Sequence, residues 1–312
     1  VLAGILSFNF KIVVMKKIFF GLLILLAIFL ISCEKEITIP QKPYTSKLSI
    51  QCLITPGAIP RLYLNSTFPF LSPPVISRKM FVADAKVILK SDGGSDILRP
   101  DSVFEKFYGS YLYFYKGTQK IKPNTSYTLE IQHSGVNYSA ITKTEQPVVK
   151  LDSVSYVQNF KDIYGEHEGV VFHLKDDPAT ANYYRYEMHR SADTATYWGE
   201  NKFKSPILKG NETTRVSEIG RTIFSDASFS GGNFSFAIEP VFKHKKGDIT
   251  YVFLQVCDKN MFDFYDQLDK QMLAQKNPFV EPVFFVPQQF PNAFGVFGSY
   301  ALSDSVLFVY PE

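Results

Sequence analysis

Over residues 47–147, apolar side chains recur at every second position, the period of a half-buried strand. Leu48, Ile50, Cys52 and Ile54 share one face, Leu62 and Leu64 follow, and Ala85, Val87 and Leu89 run to a turn at Asp92-Gly93-Gly94. Tyr127, Leu129 and Ile131 alternate with Thr128, Glu130 and Gln132. Clusters of Pro, Gly and Asn separate these runs, so the pattern predicts a β-sandwich of about 100 residues. Alternation resumes after Val148, over 168–174 and 183–189, at Phe234, Phe236 and Ile238, and along the strongly apolar run 249–257. Then the period changes. Met261, Tyr265, Leu268 and Met272 are spaced as one face of an α-helix, with Asp258 placed to cap its start and Asn277-Pro278 to stop it. That stripe is expected to pack into a core. The expected fold class is all-β: an N-terminal sandwich domain over 47–147 and a sandwich-like, β-rich domain over 148–312, the latter carrying one helix at about 258–276.

The front of the chain follows another rule. Met15-Lys16-Lys17 is a short positive segment, and the 14 residues 18–31 are an almost unbroken apolar run. They fit the hydrophobic region of a secretory signal and are too few to span a bilayer as a mature helix. Met15 is the better start, so 1–32 read as an upstream extension plus a signal peptide. The run closes with Leu30-Ile31-Ser32-Cys33, which resembles the lipobox of bacterial lipoproteins. The resemblance implies cleavage before Cys33 and lipid on its thiol and new amino group; a plain signal peptide or membrane anchor with a chance cysteine is the alternative. Several acyl chains hold far more firmly than one, because each buried methylene adds about 0.8 kcal/mol. Glu34-Lys35-Glu36 looks like the export signal that sends lipoproteins of the Bacteroidota to the outer face of the outer membrane, a solvated tether being the plainer alternative. Residues 33–46, with Pro40 and Pro43, are expected to form an extended, lipid-anchored tether.

A chain of 312 residues with 46% hydrophobic and 15% aromatic content is neither disordered, collagenous nor a polytopic membrane protein. Its net charge of +3 comes from Lys11, Lys16 and Lys17, since 1–32 contain no acid. Their removal leaves 30 basic residues against 30 acidic ones, which gives no support to a nucleic-acid or anionic-membrane partner. With Cys33 taken by lipid, Cys52 and Cys257 remain. They could pair in an oxidising compartment, but they fall in different predicted domains and are expected to be buried and unpaired.

Motifs for chemistry are missing: no GxSxG elbow, no HExxH, no Gly-rich phosphate loop. His167-Glu168 begins like a zinc motif, but position 171 is Val, and His167 and His173 lie six residues apart on one strand face. His244, within Lys243-His244-Lys245-Lys246-Gly247, belongs to a basic hairpin tip. Asp176-Asp177-Pro178 is read as a turn rather than a carboxylate pair for glycoside hydrolysis. No catalytic residue, metal or cofactor is expected. Ser102, Ser153, Thr194 and Ser305 each follow an Asp in a tripeptide resembling the O-glycosylation acceptor of the Bacteroidota, or else merely open strands. In 279–297, phenylalanines and prolines alternate densely enough to leave some rings outside a core. Phe290, Phe294 and Phe297 are the candidate interface, with Phe290 or Phe294 expected to be exposed.

Two further resemblances bear on family. Residues 121–127, ending at Tyr127, resemble the corner before a late strand in fibronectin-type or immunoglobulin-like modules. The lipobox, Asp177-Pro178 followed by Asn182-Tyr183-Tyr184, the stretch 262–265, and Phe294-Gly295-Val296-Phe297-Gly298 together resemble the Bacteroidota outer-membrane lipoprotein family known as domain of unknown function 4249. That family brings no catalytic residues. Its gene neighbourhood implies a non-enzymatic accessory or binding role beside a TonB-dependent outer-membrane transporter, with the protein lipid-anchored and facing the cell exterior. An adhesin or structural envelope protein is the first alternative, and a glycan-active hydrolase on a β-sandwich the second.

Overall fold

A computed structural model describes residues 43–69, 72, 75–105, 110–144, 150–162, 165–176, 181–193, 213–220, 223–228, 232–240, 244–276 and 289–311. The chain is mostly β. Its first half gives β1 (Leu48–Ile54), β2 (Arg61–Ser66), the single-turn α1 (Ser77–Met80), β3 (Lys86–Ser91), β4 (Gly94–Glu105), β5 (Ser110–Lys116), β6 (Ser126–His133) and β7 (Val136–Lys143). Next come β8 (Leu151–Asp162), β9 (Gly165–Asp176), β10 (Tyr183–Asp193), β11 (Thr213–Ile219), β12 (Phe224–Ser225) and β13 (Gly232–Ile238). The chain ends with β14 (Ile249–Cys257), α2 (Lys259–Lys276), β15 (Phe294–Leu302) and β16 (Val306–Val309).

Thirteen strands join in one hydrogen-bonded sheet, ordered β11-β10-β14-β15-β1-β2-β5-β4-β3-β6-β7, with β12 added to β10 and β16 to β14. A second sheet has three strands, β13-β9-β8. Strand β4 is shared: Gly94–Leu98 pair with β3, and Arg99–Glu105 pair with β5. The alternation seen in the sequence reappears as burial. In β1, Leu48, Ile50, Cys52 and Ile54 are inside, as are Val87 and Leu89 in β3 and Tyr127, Leu129 and Ile131 in β6. Tyr127 also accepts a hydrogen bond at its hydroxyl from the Lys122 amide at 2.8 Å, tying the corner to the strand that follows.

The central joint links the two ends of the sequence. Strand β15 lies parallel to β1, with Ile50 opposite Gly295 and Cys52 opposite Phe297. A Cβ at residue 295 would lie 1.8 Å from the Ile50 carbonyl oxygen, and Gly295 holds φ +144, so only glycine fits. Gly298 is confined likewise, a Cβ there meeting Met261 Cγ at 2.4 Å. The Phe-Gly-Val-Phe-Gly stretch is therefore a clasp in the fold.

Three apolar clusters form around this joint. The first gathers β1–β7 and takes in Phe290, Ala293 and Phe297 from the far end of the chain. The second lies between the two sheets, with Val170, Phe172 and Leu174 of β9 against Tyr184, Met188, Val252 and Leu254. The third, under α2, unites Met261 and Tyr265 with Cys257, Val296 and Ile223. The helix lies where its period placed it, and Asp258 caps it, accepting from the Met261 amide at 2.9 Å.

Candidate functional site

Among the described residues, the aromatic tail does not supply the expected surface. Phe290 and Phe297 are 0% exposed, both in the first core, and neither offers a ring to a partner. The reason is local. The Gln289 side chain imitates a neighbouring strand, accepting from the Phe297 amide at 2.6 Å and donating to the Phe297 carbonyl at 2.9 Å. This pins the turn before β15 and drives Phe290 inward. Phe294 is half-buried, with the Lys47 ammonium 5.0 Å from its ring centroid. Phe279, Phe284 and Phe285, like Cys33, Thr194 and Asp177-Pro178, lie outside the described residues. Ser102, Ser153 and Ser305 are exposed.

Cys52 and Cys257 are buried and free, as expected. Burial pushes both thiols up to about 12, so neither is a thiolate near neutral pH. The histidines pair internally. His167 Nδ1 lies 3.1 Å from Glu239 Oε2, and His173 is bracketed by the Ser155 and Ser235 hydroxyls at 2.7 and 2.8 Å. His244 stacks on Tyr310, and burial holds its imidazole below the ordinary value. Among the described residues no three of His, Cys, Asp or Glu gather in a geometry that could hold a metal ion.

One polar cluster among the described residues carries no mark in the sequence. Along β10, Tyr183, Arg185, Glu187 and His189 face one way, and Tyr184, Tyr186 and Met188 fill the second core. Tyr183 stacks on Phe262 of α2 with centroids 4.5 Å apart. The Arg185 guanidinium lies 4.3 Å from the Tyr265 ring centroid, and its Nε donates to the Gly220 carbonyl. Tyr265 in turn accepts from Gln51 Nε2 at 2.8 Å. Glu187 receives His189 Nε2 at 2.5 Å and Gln255 Nε2 at 2.6 Å. Burial pushes the Glu187 carboxyl up, but these hydrogen bonds and the His189 and Arg185 charges outweigh it and hold the group below the usual range. Burial, and the negative charge of Glu187, push the Tyr300 phenol up to about 12.

On its other side, His189 Nδ1 meets the Ser217 hydroxyl at 2.8 Å. Serine, histidine and glutamate thus stand in the order of a nucleophile, its base and an orienting acid. Yet His189 and Ser217 are direct cross-strand partners, as are His173 and Ser235, with Ser155 diagonal to His173 on the neighbouring strand. Cross-strand pairing accounts for both sets.

A second polar joint fixes the edge of β7 to α2. The half-buried Asp258 carboxylate accepts from the Thr142 hydroxyl and from the Ser299 amide at 3.0 Å, besides capping the helix. Ser299 also donates to the Lys143 carbonyl at 2.5 Å, and Asn260 Nδ2 donates to the Ile141 carbonyl at 3.0 Å.

Two open concavities lie among the described residues. One, about 360 Å³, lies over β3, β6 and β7 beside Lys86, Glu130 and Asn137. The other, about 450 Å³, lies where the chain enters β1 and is lined by Thr45, Ser46, Lys47, His133, Ser134 and Asn292.

The model of a family described as Domain of unknown function (DUF4249) matches residues 34–305. No curated protein matches the chain.

Proposed function

The chain belongs to the domain of unknown function 4249 family, and from that premise we propose that it is a non-catalytic lipoprotein of the outer membrane, anchored through Cys33. In this reading it faces the cell exterior and serves a TonB-dependent transporter as a binding and accessory module. One observation carries the proposal: the family match begins at residue 34, immediately behind the Cys33 that closes the lipobox. The family-defining part is thus what would remain once a signal peptide had been removed. A folded unit beginning at Thr45 leaves about ten residues between Cys33 and the fold, the length of chain a tether would need. The first and second apolar clusters, one in each half of the chain's strand order, support a reading of two sandwich-like halves.

Pull-down from detergent-solubilised native membranes through a C-terminal tag tests the role. The wild-type chain is expected to retain a transporter at defined stoichiometry, and Cys33→Ala to lose membrane attachment or stay as an uncleaved precursor. Recovery of the wild-type chain from membranes without any integral-membrane partner would favour an adhesin or structural protein instead.

A further inference from the structure

We propose that the outer edge of β11 is a docking site for an extended segment of another polypeptide, added as a further strand to the large sheet. The inference is independent of whether a transporter is the partner. In an antiparallel ladder, hydrogen-bonded and non-hydrogen-bonded pairs alternate. The Gly220 amide donates to the Tyr186 carbonyl at 2.9 Å, so that pair is a bonded one. By the register that opposes Glu187 to Ile219 and His189 to Ser217, those two pairs are non-bonded, as is Ser191 with Arg215. The backbone groups of Arg215, Ser217 and Ile219 therefore point away from β10. The 2.8 Å contact between the Ser217 and His189 side chains agrees, since side chains approach most closely in non-bonded pairs.

The same alternation holds at the opposite end of the sheet. The Thr144 amide donates to the Thr125 carbonyl, and Ser126 opposes Lys143, so the outward carbonyls of β7 must include Ile141 and Lys143. These are the two that accept from Asn260 and Ser299. The protein thus plugs its β7 edge with side chains. At β11 it does not: among the described residues nothing bonds the outward backbone groups of Ser217 or Ile219, and both residues are exposed. The strand Thr-Thr-Arg-Val-Ser-Glu-Ile also has neither proline nor lysine to blunt it.

Outward donors and acceptors repeating every second residue are complementary to an extended peptide backbone. A second copy of this chain is the poorer occupant. Pairing two seven-residue edges buries far less than the roughly 800 Å² per partner of a stable interface. A flexible segment held weakly and exchangeably meets no such requirement.

Hydrogen exchange resolved to single amides tests this on the full chain. Without ligand, the Ser217 and Ile219 amides should exchange at least 100-fold faster than those of Val216 and Glu218. The probe is a soluble ten-residue peptide of alternating Thr and Val flanked by lysines, which should slow the Ser217 and Ile219 amides at least tenfold. The same peptide N-methylated at alternate residues should have no effect. Ser217→Pro, which removes the outward N–H together with the hydroxyl that meets His189, should abolish the slowing at Ile219 and leave Val216 and Glu218 protected, whereas Ser217→Ala, which loses only the hydroxyl, should keep it. Protection of Ser217 without peptide would overturn the proposal if independent of protein concentration, because the edge is then covered by this chain. If that protection rises with concentration, the occupant is a second copy and the proposed partner is wrong. Equal effects of the two peptides would also overturn it.

Discussion

Replacing Asp258 by Ala should cost about 3 kcal/mol, because one carboxylate holds a helix start and the β7–β15 joint together. Loss of the cap on the Met261 amide is worth about 1 kcal/mol. The Ser299 amide, in a residue 0% exposed, then loses its acceptor at about 1–3 kcal/mol, and the Thr142 hydroxyl, 3% exposed as a residue, is left with only the Ser299 hydroxyl oxygen at 3.3 Å, at about 1 kcal/mol more. Relief of the buried charge offsets part of the sum. For a unit of this size the net loss lowers Tm by roughly 6–10 °C. Asp258→Asn keeps an acceptor for the cap and should cost only about 1 kcal/mol. Burial outweighs the hydrogen bonds and holds the Asp258 carboxyl above its ordinary value. A group held higher in the fold contributes stability that is complete below its unfolded value and lost as pH rises through its folded one. The advantage of wild type over Asp258→Asn should therefore be largest in acid and narrow with rising pH. Urea denaturation of the three proteins between pH 3 and 7 checks both points. A loss under about 1 kcal/mol for Asp258→Ala, or an advantage that widens with pH, would refute the reasoning.

Gly295→Ala should fail to accumulate as folded protein, since its Cβ would fall 1.8 Å from the Ile50 carbonyl oxygen; soluble yield and circular dichroism decide. Phe290→Ala should destabilise by about 3–5 kcal/mol in urea denaturation, because the ring is wholly buried; an unchanged midpoint would return Phe290 to the surface. Cys52 and Cys257 should resist a thiol reagent in the native chain at pH 8 and react only on unfolding, with identical mobility on reducing and non-reducing gels.

Local rules made much of the fold legible. The switch from period two to the helical spacing of Met261, Tyr265, Leu268 and Met272 located α2, and Asp258 read as a cap is a cap. Alternation in β1, β3 and β6 marked their buried faces. The parallel seam between β1 and β15 carries no such local mark, because its partners are about 240 residues apart in sequence. Without that seam, the phenylalanines around 290 looked superfluous to a two-layer core, whereas Phe290 and Phe297 complete the core of the opposite end of the chain. Alternation over 183–189 gave the Arg185–Glu187–His189 row no mark of its own; Phe262 stacked on Tyr183 and Tyr265 beside Arg185 make that side of the strand interior. The edge of β11 was hidden for another reason, since which amides face outward depends on register and not on residue type.

Native mass spectrometry of the complex purified from outer membranes through a C-terminal tag tests the central claim most directly. The account predicts a mature chain beginning at Cys33 and heavier than its residues by its acyl chains, bound to an integral outer-membrane transporter. A chain with an unmodified N-terminus at any other residue, recovered without such a partner, would contradict it.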